Sequence, residues 1–205
     1  TIATGVALAD RDPDLDTVTV VTRTATVPVD LERADGRVTA TLTSPPARSA
    51  PLADDLLDEV LATFGWDRDV LADGAAPVVG HAGADHPLLF LRSRKDLAAM
   101  AYEFDALRGL MVRAGWTTVA LLWREADGTV HARNAFAAGG VVEDPATGAA
   151  AAALGGHLRE LGALPASGRF TIRQGDDMGR PSLLAVDALA AAPSVRVGGP
   201  AVPIP

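Results

Sequence analysis

The sequence contains no cysteine. That removes disulfide bonds, thiolate nucleophiles and zinc–thiolate centres together, and it fits the cytoplasmic location expected here. No apolar run approaches the ~20 residues of a membrane-spanning helix. The opening stretch Thr1 to Ala9 is apolar but lacks the basic flank and cleavage context of a signal peptide. Positive charge is also scarce. The formal net charge is -8, and the densest basic cluster is Arg92, Arg94 and Lys95, so neither nucleic acid nor an anionic membrane is an expected partner. The phosphate-binding pattern Gly-x-x-x-x-Gly-Lys-Ser/Thr and a dinucleotide fingerprint are both missing, as is the Gly-x-Ser-x-Gly of serine hydrolases. The four histidines, His81, His86, His131 and His157, fall at no metal-ligand spacing and have no accompanying zincin glutamate. Each is read as structural or superficial, and no metal and no cofactor are expected.

What the chain does have is apolar bulk, with 48% hydrophobic residues in 205, enough for one or two small domains with a sizeable core. Thr1 to Ala9 reads as the end of a buried helix. Thr17 to Leu31 is rich in Thr and Val and suits a half-buried strand; Asp35-Gly36 turns it into a second strand, Arg37 to Thr43. After a linker at Pro46 to Pro51, Leu56, Leu57, Val60, Leu61 and Phe64 share one helical face, which Gly65 closes. Val78-Val79 and Leu88 to Leu91 read as short strands. Ser93 and Asp96 form a capping box, and Asp105 is read as the cap of a further helix ending at Gly115. Val119 to Arg124 and Val130 to Phe136 make a hairpin across Asp127-Gly128. A nearly pure Ala run from Ala149 reads as a buried helix to Leu161. Strands Arg169 to Arg173 and Leu183 to Val186 flank the polar loop Gln174 to Ser182, in which Arg180 is read as pairing with Asp176 or Asp177; Val195 to Val197 is a last strand before a Pro-rich tail. Many strands with few long helices argue for an α+β fold with largely antiparallel sheets. The helices at Thr1 and Ala149 lack a polar face, so both are expected to be buried on all sides, a sheet curling around a central helix.

Chemistry concentrates at Val141-Val142-Glu143-Asp144-Pro145-Ala146-Thr147-Gly148, where an acidic loop enters the Ala-rich helix. A helix start carries unpaired amides and a partial positive charge of roughly +0.5, and it can hold a carboxylate or phosphate. Two readings follow. Either Glu143 or Asp144 caps the helix, worth about 1 kcal/mol, or Asp144 borders a pocket in which the amides of Gly148, Ala149 and Ala150 hold a substrate anion, Gly148 allowing close approach to the backbone.

Taken together, Glu143 to Ala150, the preceding Arg133-Asn134-Ala135-Phe136 and the later Gln174-Gly175-x-x-Met178-Gly179-Arg180-Pro181-Ser182 resemble the PhzF family of phenazine-biosynthesis isomerase-like proteins. The resemblance implies a diaminopimelate epimerase-like α+β fold: two pseudo-symmetric halves, each a sheet wrapped around a central helix, with the active site between them. It implies that residues 1–47 are the remnant of an incomplete N-terminal half, and that residues 48–205 form the C-terminal half, its tail returning to the first. It places Asp144 as a catalytic residue and Gly148, Ala149, Ala150 and Thr1 at the substrate. Ala149 stands where many members have Ser. The family segment with the proton-shuttling Glu and a Gly-His-Ala turn is absent from this sequence, which opens on Thr1 rather than Met. The implied activity is an isomerase or epimerase that moves a proton on a small carboxylate-bearing substrate without metal or cofactor. The alternatives are a catalytically inactive small-molecule binder or scaffold on the same fold and an anion-binding regulatory domain. A homodimer, or a partner chain supplying the missing half, is the expected assembly.

Overall fold

The computed structural model describes residues 1–22, 25–189 and 192–201; the last four residues of the Pro-rich tail lie outside them. Five helices, α1 (Ile2–Ala9), α2 (Asp54–Phe64), α3 (Arg94–Ala98), α4 (Phe104–Ala114) and α5 (Gly148–Glu160), are set among twelve strands. The strands are β1 (Thr17–Val21), β2 (Thr26–Ala34), β3 (Arg37–Thr43), β4 (Arg48–Pro51), β5 (Val78–His81), β6 (Asp85–Phe90), β7 (Val119–Arg124), β8 (Val130–Ala135), β9 (Glu143–Asp144), β10 (Arg169–Gln174), β11 (Ser182–Asp187) and β12 (Arg196–Pro200). They join into one continuous sheet in the order β1-β2-β3-β12-β11-β10-β8-β7-β6-β5-β4, with β9 added to β8. Among the described residues only the pairs β8–β10 and β6–β7 are parallel, so the mixed, largely antiparallel α+β class expected from the sequence is what forms. The Thr17 to Leu31 stretch is not one strand. It folds back on itself as the β1–β2 hairpin.

The sheet curls around α5, which touches β4, β5, β6, β11 and β12. The stretch Pro46 to Pro51 is not a linker throughout, since Arg48–Pro51 pairs with β5 as strand β4; the residues just before it complete the wrap, Ala47 N–H donating to Pro193 O (2.8 Å) and Val195 N–H to Ser44 Oγ (3.0 Å). Every residue from Ala150 to Leu158 is buried. An all-Ala surface lets backbone and sheet approach closely, and Gly155-Gly156 extends that closeness: a Cβ at Gly156 would lie 2.5 Å from Ala47 Cβ. Gly156→Val is expected to destabilise the fold by about 1–3 kcal/mol through overpacking, read as a lower urea midpoint. An unchanged midpoint would mean that the linker at Ala47 yields freely.

The expectation for α1 needs correction. Gly5, Val6 and Ala9 pack on β2, β3 and β12, whereas Ala3, Thr4, Ala7 and Leu8 are exposed. The helix is apolar all round, but the sheet covers one side of it. Helix α5 meets the all-round expectation because sheet surrounds it.

On the opposite face of the sheet, α2, α3 and α4 cover Leu89, Leu91, Val119, Leu121 and Ala135. The Ser93 cap forms as expected, its Oγ accepting from Asp96 N–H at 3.1 Å. Helix α4 starts from Glu103, with Asp105 inside its first turn rather than capping it. The alternation along β6, β7 and β8 assigns the faces: Leu88, Ala120, Leu122, Val130 and Ala132 look toward α5, and their odd-numbered neighbours look toward the outer helices.

Candidate functional site at the start of helix α5

Glu143 and Asp144 do not cap α5. They form β9, paired with β8 as Asn134↔Asp144 and Ala135↔Glu143. A strand period of two sends neighbouring side chains to opposite faces, and this separates the two acids. Glu143 joins Arg133 on the outer face, Arg133 Nε and Nη2 donating to its carboxylate at 3.1 and 2.6 Å. The pair is enclosed, with side chains only 10% and 3% exposed. Arg133 Nη1 also donates to Ala98 O (3.0 Å) at the end of α3. Tyr102 donates to Val142 O (2.5 Å). Burial and then the charge of Glu143 push its hydroxyl up to about 12, so it stays a donor. Glu143 is therefore consumed in holding the loop.

Asp144, on the inner face, accepts from Thr147 Oγ1 at 2.7 Å. Gln174, at the end of β10 and 1% exposed, ties the turn together. Its Nε2 donates to Asp144 O (2.6 Å) and Thr147 Oγ1 (3.0 Å), and its Oε1 accepts from Thr147 N–H (3.1 Å). The next residue, Gly175, has φ +80, and a Cβ there would overlap Arg180 O and lie 3.0 Å from Pro145 O. Only glycine lets the β10–β11 loop close on the motif. Gln174→Leu leaves Thr147 N–H and Asp144 O without their side-chain partner and is expected to cost about 2 kcal/mol. Faster hydrogen exchange of the Thr147 amide checks it; unchanged exchange would show the staple to be dispensable. Arg180 pairs with neither expected acid, since Asp176 is held by Arg173 and Asp177 by Arg94.

The helix itself begins with Ala151 N–H donating to Thr147 O (3.0 Å), and Thr147 supplies no side-chain cap. The amides of Gly148, Ala149 and Ala150 have no acceptor among the described residues, as geometry demands of a first turn. The start of α1 lies alongside. A Cβ at Gly148 would be 3.0 Å from Leu42 Cδ2 and 3.9 Å from Ile2 Cδ1, so Gly148 keeps this junction open. Thr1, which precedes Ile2, is exposed at the N-terminal end of α1 and makes no capping bond with its side chain. Asp144, Gly148, Ala149 and Ala150 thus come together at one helix end, with the start of α1 beside it.

A polar group unforeseen from the sequence sits on the same face. His86 is fully buried, its Nδ1 2.8 Å from Thr118 Oγ1, which donates to Asn134 Oδ1 at 3.0 Å. Burial lowers the His86 pKa to about 4; Asp85 opposes the shift and His81 adds to it. Of the other histidines, His81 and His131 pair near the surface with Asp85 and Glu125, and His157, buried within α5, pairs with Ser49. The sequence signal for this group was the parity of Asn134 with Val130 and Ala132, which puts a polar side chain on an apolar face.

A family model described as phenazine biosynthesis-like protein, PhzC-PhzF, matches residues 1–205. The chain belongs to the PhzC-PhzF family. Its family relatives include trans-2,3-dihydro-3-hydroxyanthranilate isomerases from Pseudomonas aeruginosa, 33% identical over 190 residues, and from Pseudomonas chlororaphis, 31% identical over 167. These matches take in 88% and 80% of this chain but 61% and 55% of the relatives, so it spans little more than half their length. Among solved structures, a predicted epimerase from Pseudomonas aeruginosa superposes with a TM-score of 0.79 at 25% identity, covering 97% of this chain and 69% of that one. A PhzF-family protein from Bacillus anthracis gives 0.78 at 15%, covering 97% and 70%. A hydroxyproline epimerase from Agrobacterium vitis shares the fold more distantly, at 0.61 and 16%, covering 97% and 62%.

Proposed function

We propose that this PhzC-PhzF chain carries the carboxylate-binding and polarising part of an isomerase or epimerase site, one that moves a proton on a small carboxylate-bearing substrate without metal or organic cofactor. The observation that carries this reading is the set of unpaired amides at Gly148, Ala149 and Ala150 beside the Asp144 carboxylate, in a turn pinned by Gln174. Amides fixed at a buried helix start stabilise negative charge that develops on the substrate as a neighbouring carbon loses its proton. Asp144 takes or returns a proton from one side of that carbon. A base outside these 205 residues, from upstream sequence or a partner chain, serves the other side. In the same reading residues 1–47 and 48–205 belong to two related halves, each built on one of the helices α1 and α5, and Thr1 lines the cleft between them.

Deuterium incorporation tests the proposal. The protein expressed with its upstream reading frame should place solvent deuterium on a carbon of a small carboxylate substrate, and Asp144→Asn should slow this by about 10²–10⁴-fold. Carboxylate binding without incorporation across a broad panel would instead favour an inactive binder. That second reading draws on Glu143, the other acid of the motif, being locked to Arg133. Absence of both binding and incorporation would remove both readings.

A further inference from the structure

Beyond the groups assigned above, a free donor and a free acceptor stand on adjacent strands of the same face. Asn134 and Asp144 are directly opposed across β8 and β9. Opposed residues of an antiparallel pair project to the same side, with Cβ atoms about 4.5–5.5 Å apart. Asn134 is 2% exposed. Its Oδ1 is taken by the Thr118 hydroxyl at 3.0 Å. A hydroxyl has one proton, so a Thr118 that donates to Asn134 receives from His86 Nδ1, 2.8 Å away. The chain His86–Thr118–Asn134 therefore runs in one direction and leaves Asn134 Nδ2 without an acceptor among the described residues. Asp144 has Oδ2 engaged by Thr147 and Oδ1 without a partner among the described residues. With Gln174, Ala150 and Ala151, Asn134 also lines a cavity of about 10 Å³ beneath the first turn of α5, the scale of a single oxygen-sized group.

We propose that Asn134, oriented by Thr118 and His86, is a specificity-determining residue of this site, donating from Nδ2 to an oxygen substituent that the ligand carries beside its carboxylate. The inference rests on the carboxylate site described under the proposed function. A hydroxyl fits the pair best, because it can accept from Asn134 while donating to Asp144 Oδ1; a carbonyl oxygen uses Asn134 alone. A ligand with a carboxylate and no second oxygen leaves the Asn134 donor unmet.

Titration of the ¹⁵N-labelled chain with acetate and glycolate tests this. Both should shift the amides of Gly148 to Ala150. Glycolate should bind about three- to tenfold more tightly, the range of one added hydrogen bond, and it alone should shift the side-chain amide resonances of Asn134. In Asn134→Leu the glycolate-to-acetate ratio should fall to near one. Thr118→Val, which keeps shape and removes the anchor, should reduce the ratio and broaden the Asn134 side-chain signals. If Asn134→Leu fails to fold, Thr118→Val and the resonance shift decide. Equal affinities with an unmoved Asn134 amide would overturn the inference while leaving the carboxylate site intact. If neither anion moves the α5 amides, the carboxylate site itself is wrong and this inference goes with it.

Discussion

Arg133→Met is expected to cost about 3–5 kcal/mol of folding stability, because it strands the Glu143 carboxylate in the interior. The side chain of Glu143 is 3% exposed, and its only charged partner among the described residues is Arg133. A carboxylate enclosed to that degree and unpaired must either be desolvated as a charge or take up a proton, and both oppose folding. Arg133 contributes a second bond that methionine cannot replace, to Ala98 O at the end of α3. The pair itself is not expected to be worth that much. The double variant Arg133→Met/Glu143→Leu should recover most of the loss, since an apolar replacement of both partners is often neutral. Urea unfolding of the single and double variants beside the parent protein measures the difference. A single-variant cost under about 1 kcal/mol would mean that water reaches Glu143 and that the pair behaves as a surface bridge. The site should register the change as well: β9 is two residues long, so loosening Glu143 moves Asp144 on its other face.

Acidification is expected to remove about 3 kcal/mol of stability through His86 alone. Its pKa falls from 6.5 to about 4 on folding, chiefly by burial. The unfolded chain therefore binds the proton first, and stability rises with pH across the interval between the two values. The contribution is complete above pH 6.5, is lost as pH falls toward about 4, and changes no further below that; the magnitude follows from ~1.4 kcal/mol per unit. His157, also lowered by burial with Glu160 opposing, acts in the same direction. The imidazole resonances of His86 should stay in the neutral form down to about pH 4 in the folded protein, and the urea midpoint should drop between pH 7 and pH 4.5. Titration of His86 near 6.5 would show that it is solvated. A charged His86 would donate from both nitrogens, while Nε2 has no partner in its buried position.

The elements that were legible in the sequence are those whose signal is local. The helix of Asp54 to Phe64 with its Gly65 stop, the Ser93 cap, the Asp35-Gly36 turn and the β7–β8 hairpin are each set by spacing, φ preference or a cap within a few residues. The β1–β2 hairpin has no local signal, because the residues between Val21 and Thr26 include no Gly, Pro, Asn or Asp to mark a turn. Arg180 was misassigned because Arg94, far away in sequence, reaches Asp177.

For the motif itself, the order of residues was enough to show that an acidic turn enters an all-apolar helix whose first amides must go unpaired. That follows from backbone geometry and needs no tertiary contact. Which acid faces the site was a different matter. Glu143 and Asp144 are chemically alike and adjacent, and either could have capped the helix. Pairing with β8 makes them a strand, and the two-residue period then turns one toward Arg133 and the other toward α5. The tertiary structure decided that, along with the Gln174 staple and the His86–Thr118–Asn134 chain, because hydrogen bonds spanning 16 to 32 residues depend on which strands lie side by side. It also decided that α1, as apolar as α5, keeps one face open, since burial depends on what surrounds a helix and not on its composition alone.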